Sequence, residues 1–268
     1  MGKSFTVNMC PPDFSKTAAT KEGMFMAEDD YGESYYYRGV ADNWVSFAGF
    51  YWRIIRINGD GSIRLIYSGT KTNNTGDGAQ IRNSYYNLSY KEEKYADYKI
   101  SAIKSKIDDW YKINILDKGF DNKIADTGYC NDMSKKSEYA FGSWDRGRNN
   151  KTPTLKCPNK ESDLLSKSNN KLIYPAGLLT WDEALFAGGV YLNTNYNYYL
   201  YTGKLYWTMT PAYWSDSIVH VGNVNSDGQL YADFVAVSSS GVRPVLSLKP
   251  NVLVTSGDGT LSSPYVIK

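Results

Sequence analysis

The chain has 268 residues, of which 42% are hydrophobic and 22% charged, and its formal net charge is +2. This balance is typical of a globular protein with a substantial core and argues against wholesale disorder. Lysine and arginine are spread along the chain instead of forming a basic block, so neither nucleic acid nor a membrane surface is an expected partner. No segment approaches the roughly 18 to 20 consecutive apolar residues that a membrane span requires.

Tyrosine and tryptophan are unusually frequent, at 24 and 7 residues. These side chains offer large, stiff contact areas with a polar edge, which favours recognition surfaces. Tyrosine is also common in β-strands, so a high strand content is the competing explanation.

Residues 1–33 mix prolines, lysines and acidic residues without sustained periodicity, which predicts an extended N-terminal segment. A single folded domain is expected to occupy residues 34–268. The N-terminus lacks the apolar core of a signal peptide, so either the protein is intracellular or its targeting or anchor segment is absent from this chain.

Short β-prone runs begin the domain. The Asn-Gly-Asp-Gly sequence at residues 58–61 separates WRIIRI from SIRLIYS and predicts a hairpin, because Asn, Asp and Gly tolerate positive φ. Charged and apolar residues partly alternate in the two runs. One sheet face is therefore expected to be buried, with Arg53, Arg56 and Arg64 toward the other.

Two helices are predicted. The first is indicated by an apolar stripe at helical spacing, which consists of Ile100, Ile103, Ile107 and Trp110. The second is short and begins at Thr180, because Thr180 and Glu183 have the spacing of a capping box. Gly188 is expected to end it.

The chain has three cysteines. Cys130 and Cys157 bracket a polar segment without clear periodicity, where a disulfide would restrain a long loop. We predict that disulfide, and Cys10 would then be unpaired. Two reduced thiols are the alternative; zinc is less favoured, because His220 is the only histidine that could supplement the cysteines.

The pattern returns to β-strands from about residue 195, with short runs separated by Gly, Asn, Asp and Ser turns. Two helices among many short strands predict an α+β fold. The large side chains of this final region divide into two groups. We assign Tyr206, Trp207 and Met209 to the core, and the aromatic residues that follow to a displayed surface.

The order of motifs in this region resembles a known family. The capped helix TWDEALFAGG, the strand LYWTMTP, a hairpin containing NSDG and the closing strand GVRPVLSLK are similar to the end of C-type-lectin-like domains of the formylglycine-generating-enzyme subtype. The segment YYYRGVADNWVSFAGFYWRIIRINGDGSIRLIYSGT also resembles the start of surface proteins of gut Firmicutes.

Proteins with this layout include the variable proteins of diversity-generating retroelements, which display changeable side chains on a fixed C-type-lectin-like fold. The resemblance implies a variable ligand-binding segment at about residues 205–248, with its changeable surface between Pro211 and Gly241. The ligand-binding residues implied are Tyr213, Trp214, Ser215, Asp216, His220, Asn223, Tyr231, Asp233 and Phe234.

Enzymatic activity is not expected. The formylglycine-generating enzymes hold copper with two cysteines in their C-terminal part, whereas no cysteine follows Cys157 here. Trp214 and Asp216 only partly match the calcium-dependent sugar site of C-type lectins. A calcium-loop spacing begins at Asn223, but Phe234 stands where a bidentate Glu is required. We therefore expect no metal or cofactor.

His220 lies in an alternating strand pattern without a Ser or Cys nucleophile signature, so it is expected to be an exposed strand residue. Together these observations predict a non-enzymatic, extracellular or cell-surface ligand-binding domain of bacterial origin, adhesin-like or receptor-like. Its expected ligand is a protein or glycan on another cell, phage or host surface. A structural surface or pilus-associated subunit is the alternative, with the aromatic patch buried against neighbouring copies.

Overall fold

The computed structural model describes residues 6–236 and 240–268. The protein is α+β, as predicted, with mostly short strands and few, short helices. The strands are β1 (Val7–Asn8), β2 (Lys21–Asp29), β3 (Gly32–Gly39), β4 (Trp44–Phe47), β5 (Phe50–Ile57), β6 (Ile63–Tyr67), β7 (Arg82–Ser84), β8 (Ile124–Ala125), β9 (Tyr129–Cys130), β10 (Leu164–Leu165), β11 (Tyr206–Ser215), β12 (Ile218–Val224), β13 (Leu230–Phe234), β14 (Ser240–Val242), β15 (Val245–Leu248), β16 (Val254–Ser256) and β17 (Tyr265–Ile267).

The α-helices are α1 (Ala102–Tyr111), α2 (Gly142–Asp145), α3 (Lys160–Asp163) and α4 (Trp181–Ala187). Helices α1 and α2 continue as π-helical turns at Lys112–Leu116 and Arg146–Asn150. Short 3₁₀ turns lie at Gly76–Ala79, Glu93–Ala96, Tyr98–Ile100 and Asp121–Lys123.

The larger sheet has ten strands and follows the order β1-β2-β3-β5-β4-β17-β16. Along one edge, β5 pairs first with β4 and then with β3; along the other it pairs with β6, which leads to β15 and β8. Strand β2 lies inside the segment 1–33 and pairs with β3 over its whole length. The folded region therefore begins before residue 34, contrary to the prediction.

The hairpin predicted at residues 58–61 joins β5 to β6, with Gly61 at a φ of 80°. The strand register places Arg53, Arg56 and Arg64 on one shared face of the hairpin, as expected, but that face is also covered, because all three arginines are buried. Helix α4 supplies a counter-charge to two of them: Glu183 Oε1 lies 2.5 Å from Arg64 Nε and 3.3 Å from Arg56 Nη1. Buried charges are tolerated where they are paired in this way.

Helix α4 begins and ends as predicted. The Thr180 hydroxyl accepts a hydrogen bond from the Glu183 amide at 3.1 Å, and Glu183 Oε2 accepts one from the Thr180 amide at 2.9 Å. Gly188 ends the helix in the left-handed region, at a φ of 111°. All residues of α4 are buried, and Trp181 Nε1 donates to the Asn223 carbonyl in β12 at 3.3 Å.

Helix α1 confirms three members of the predicted stripe, since Ile103 and Ile107 are buried and Trp110 packs against the core. Ile100 is different, because it precedes the helix and is 53% exposed. The Ser101 side chain accepts a hydrogen bond from the Lys104 amide and caps the helix, which begins at Ala102, two residues after Ile100.

The predicted disulfide between Cys130 and Cys157 is present, with a Cα–Cα distance of 5.4 Å, and Cys10 is free and exposed. The segment between the bridged cysteines is also held by Arg146. Its guanidinium lies 2.8 Å from Asp132 Oδ2 and 2.9 Å from Asp182 Oδ2 at the start of α4.

The second sheet has five strands in the order β13-β12-β11-β14-β7. Strands β11, β12 and β13 form an antiparallel meander, and β14 runs parallel to β11 on its other side. Tyr206, Trp207 and Met209 in β11 are fully buried, as expected for core residues. Four strands of this sheet, β11 to β14, belong to the predicted ligand-binding segment at about residues 205–248.

Candidate ligand-binding surface

Three rings share one face of the five-stranded sheet. Tyr213 in β11 is paired with His220 in β12, and His220 with Phe234 in β13. Because directly paired residues project to the same side of a sheet, these side chains are neighbours. The Tyr213 and His220 rings stack with centroids 4.1 Å apart, and Phe234 lies 6.3 Å from His220.

The row of rings extends at both ends into residues from elsewhere in the chain. Tyr90 packs edge-on against Phe234, at a centroid distance of 4.7 Å. At the other end, Trp144 of α2 lies 5.1 Å from Tyr213 and 5.2 Å from Tyr191. Trp144 is buried and forms the floor of the row.

Tyr231 completes the row. Its ring is parallel to that of Tyr191 within 2°, with centroids 6.3 Å apart, and it is 38% exposed. We refer to the whole set as the aromatic row, which comprises Tyr90, Phe234, His220, Tyr213, Trp144, Tyr191 and Tyr231.

One cation lies over the aromatic row. The Arg148 guanidinium is 5.5 Å from the Tyr191 ring centroid and 5.8 Å from that of Trp144. Both distances are within the range of cation–π attraction. Arg148 is exposed, and among residues 6–236 and 240–268 it forms neither a hydrogen bond nor an ion pair.

Burial and neighbouring polar groups shift the pKa values of Tyr213 and His220. Burial raises the pKa of the Tyr213 phenol, and Tyr231, Tyr191 and Asp233 raise it further, whereas Arg148 lowers it. Burial lowers the pKa of His220, and Asp233 opposes that shift. Since charges act appreciably only within about 10 Å in salt solution, these groups lie around one small area.

His220 is half-buried, not exposed as predicted, and its Nδ1 atom has no hydrogen-bond partner within the described ranges. The pKa of His220 is lowered in the folded state, so this side chain binds a proton more readily in the unfolded chain. We expect unfolding free energy to fall as the pH drops through the ordinary histidine value of 6.5. The expected change is assignable because the chain contains no other histidine.

Urea unfolding at pH 7.5, 6.5 and 5.5 measures this dependence. His220→Gln should remove the part of the pH dependence that lies near 6.5 and leave the carboxylate contribution at lower pH. Equal losses of stability in the wild type and His220→Gln would contradict the assignment.

The structure brings four of the nine residues predicted for the site into the aromatic row: Tyr213, His220, Tyr231 and Phe234. Tyr231 and Asp233 alternate with Phe234 along β13, so they leave the strand on its other side. Tyr231 reaches the row through the Tyr191 ring, whereas Asp233 acts on the row through its charge.

Trp214 follows Tyr213 in β11 and pairs with Val219, so it projects from the opposite face. Asp216 lies in the exposed two-residue turn between Ser215 and Ile218, with a φ of 49°. Ser215 ends β11 beside that turn and is only partly exposed.

Asn223 is wrongly placed in the predicted site. It lies in the central strand β12, paired with Trp207 on one side and Tyr231 on the other, and it is fully buried. Neither its Oδ1 nor its Nδ2 has a hydrogen-bond partner in the parts of the chain that the structure describes. The side chain therefore cannot contact a ligand at the surface.

A separate cluster of charged residues surrounds a cavity of about 30 Å³ between α4 and the large sheet. The cavity is lined in part by Arg56, Arg64, Asp132, Arg146 and Glu183. This volume holds one or two water molecules. The charged groups pair with one another across it. The cluster is suited to holding α4 and the disulfide-bridged segment in place.

Four residues of the site were not predicted, because they lie outside the segment 205–248: Tyr90, Trp144, Arg148 and Tyr191. For Trp144 and Arg148 the sequence does contain an indication, the aromatic and basic run GSWDRGR between the bridged cysteines. A polar loop that carries Trp and Arg has the composition of a binding surface.

Comparisons with known proteins found no match among family models, curated proteins or solved structures. Across residues 6–236 and 240–268, no group of three or more His, Cys, Asp or Glu side chains is arranged to hold a metal ion. Within the same ranges, none of the helices has the length and apolarity of a transmembrane span.

Proposed function

We propose that this protein is a non-enzymatic ligand-binding domain, adhesin-like or receptor-like, that acts outside the cell and captures a protein or glycan through the aromatic row. One observation carries this proposal. Rings from four separate parts of the chain meet in a continuous row on the surface, and most of them keep part of their area exposed. Aromatic clusters of this kind are typical centres of binding energy.

The disulfide supports an extracellular location. Structural disulfides persist mainly in oxidising compartments, and the Cys130–Cys157 bridge restrains the segment that carries Trp144 and Arg148. It also supports a role without copper catalysis. Two of the three thiols are consumed in the bridge, so the chain lacks the pair of thiolates that a Cu(I) site of the resembled enzymes needs.

The C-type-lectin-like fold of the formylglycine-generating-enzyme subtype is part of the proposal. Its support is the order of the capped helix α4, the β11–β13 meander and the closing segment around Arg243. Arg243 is buried, donates to the Tyr67 carbonyl at 2.9 Å and lies over the Tyr206 ring. This contact joins the closing segment to both sheets, as expected for a fixed frame beneath a variable surface.

Diversification by a retroelement is the finer part of the same proposal. The changeable positions would be those members of the aromatic row or its rim that lie within residues 205–248, without the buried Asn223. A reverse-transcriptase gene beside a near-copy of the codons for residues 205–248 would support it. Genomes that carry the gene with neither feature would overturn it.

Tyr231→Ala tests the binding function. This substitution removes the most exposed phenol of the row and should reduce ligand capture about tenfold or more. Unfolding free energy should change by no more than about 1 kcal/mol, because Tyr231 is exposed and its ring stacks at the sheet edge on that of Tyr191. Binding is measured on printed arrays of glycans and extracellular-matrix proteins.

Tyr196→Ala is the matched control, since Tyr196 is also exposed and also contacts one ring, that of Tyr201. It should bind as the wild type does. Equal binding by Tyr231→Ala and Tyr196→Ala would contradict a ligand site at the aromatic row.

A structural surface subunit remains the competing function. In that case the row would be covered by another copy of the chain, and sedimentation would detect assembly that grows with protein concentration. Loss of that assembly in Tyr231→Ala, without capture of any arrayed ligand by the wild type, would replace the binding proposal by this one.

A further inference from the structure

We infer that the ligand is an acidic glycan, whose carboxylate or sulfate group is bound by Arg148 while its neutral sugar rings lie on the aromatic row. This inference rests on the proposed binding function. It names the chemical class of the ligand and a specificity-determining residue outside the segment that sequence reasoning selected.

Arg148 differs from the buried arginines of this protein. Arg38, Arg53 and Arg243, for example, donate hydrogen bonds to protein carbonyls. Arg148 is instead exposed, and its guanidinium makes no hydrogen bond or ion pair within the described part of the chain. All of its donors are therefore free to bind a ligand.

The position of the guanidinium is nevertheless defined. It lies over the rings of Tyr191 and Trp144, at 5.5 and 5.8 Å from their centroids. Stacking on rings restricts a long side chain before the ligand arrives, so less conformational entropy is lost on binding. A planar guanidinium with free donors matches a carboxylate or sulfate through two parallel hydrogen bonds.

The polar groups around the row favour a sugar over an acidic peptide. Tyr213, Tyr191 and Tyr231 bring phenol groups, which both donate and accept hydrogen bonds. Sugar hydroxyls donate and accept in the same way, and the apolar faces of sugar rings suit aromatic side chains.

Asp233 also limits where negative charge can lie on the ligand. It acts on the ionisation of His220 and Tyr213, whereas Arg148 lies over Tyr191 and Trp144. A ligand with one acidic group beside Arg148 and neutral hydroxyls beside His220 satisfies both charges. A polyacidic peptide would also place carboxylates near His220 and Tyr213, where the charge of Asp233 acts, and be repelled.

The experiment compares a neutral sugar with two acidic derivatives of it and with an acidic peptide. The probes are lactose, sialyllactose, sulfated lactose and a tetraglutamate peptide, measured by calorimetry or on a biosensor surface. We expect sialyllactose or sulfated lactose to bind at least about tenfold more tightly than lactose and the peptide. The two acidic sugars distinguish a carboxylate from a sulfate.

Arg148→Gln should lower the affinity for the preferred acidic sugar about tenfold, to the level of lactose, and Arg148→Lys should restore it only in part. Arg82→Gln is the matched control, because Arg82 is also exposed and also lacks an ion-pair partner in residues 6–236 and 240–268. It should leave the affinity unchanged. Thermal unfolding of all three variants confirms that the fold is retained.

The outcomes separate this inference from the proposed function. Binding of lactose, another neutral glycan or an arrayed protein that depends on Tyr231 but not on Arg148 would overturn the acidic-glycan inference and leave the binding function standing. Tight binding of tetraglutamate through Arg148 would also overturn it, in favour of an acidic peptide. Failure of every probe and every arrayed ligand to bind would overturn both.

Discussion

Glu183→Gln is expected to lower the unfolding free energy by about 3–5 kcal/mol, which would be a large effect for an isosteric change. The substitution leaves Arg56 and Arg64 buried without their shared counter-charge. A glutamine can still accept the hydrogen bond from the Thr180 amide, so the capping box is retained and the charge is tested alone. Urea unfolding with the disulfide intact measures the loss.

Two further variants sharpen this prediction. Glu161→Gln removes the charge of an exposed glutamate and should change stability by less than about 0.5 kcal/mol. Arg64→Met combined with Glu183→Gln should be less destabilised than the sum of the two single variants, because the pair is then removed together. An unchanged midpoint for Glu183→Gln would show that the buried arginines do not depend on this carboxylate.

Replacement of both bridged cysteines, Cys130→Ser with Cys157→Ser, is expected to cost about 3–4 kcal/mol of unfolding free energy. The estimate follows from the chain entropy of a loop that spans 27 residues. Ligand binding should also weaken, because the bridge restrains the segment that places Trp144 and Arg148 on the aromatic row. The ion pairs of Arg146 with Asp132 and Asp182 should preserve part of that order.

Cys10→Ser is the control for this prediction, since Cys10 is exposed and unpaired. It should leave stability and binding unchanged. Thiol counting on the unfolded, unreduced wild type should find one free thiol. A count of three, or equal stability of the double variant and Cys10→Ser, would contradict the structural role of the bridge.

Local interactions explain which elements could be predicted. The capping box of α4 joins residues three apart, and the turn at residues 58–61 depends on Asn, Asp and Gly, so neighbours along the chain suffice for both. The burial of Arg56 and Arg64 is different. It depends on Glu183, which lies more than a hundred residues away, and no periodicity in the hairpin reveals that a charged helix covers its face.

The candidate site also combines features that depend on local sequence with features that depend on contacts between distant residues. Composition, spacing and local turn chemistry were sufficient to predict the α+β class, the disulfide partners and the enrichment of aromatic residues near the C-terminus. Which rings meet depends instead on tertiary packing. It brought Trp144, Arg148 and Tyr191 onto the row, buried Asn223 and turned Trp214 to the other face. Strand register and the packing of α2 and α4 against the sheet set those positions, and both depend on contacts between residues distant in sequence.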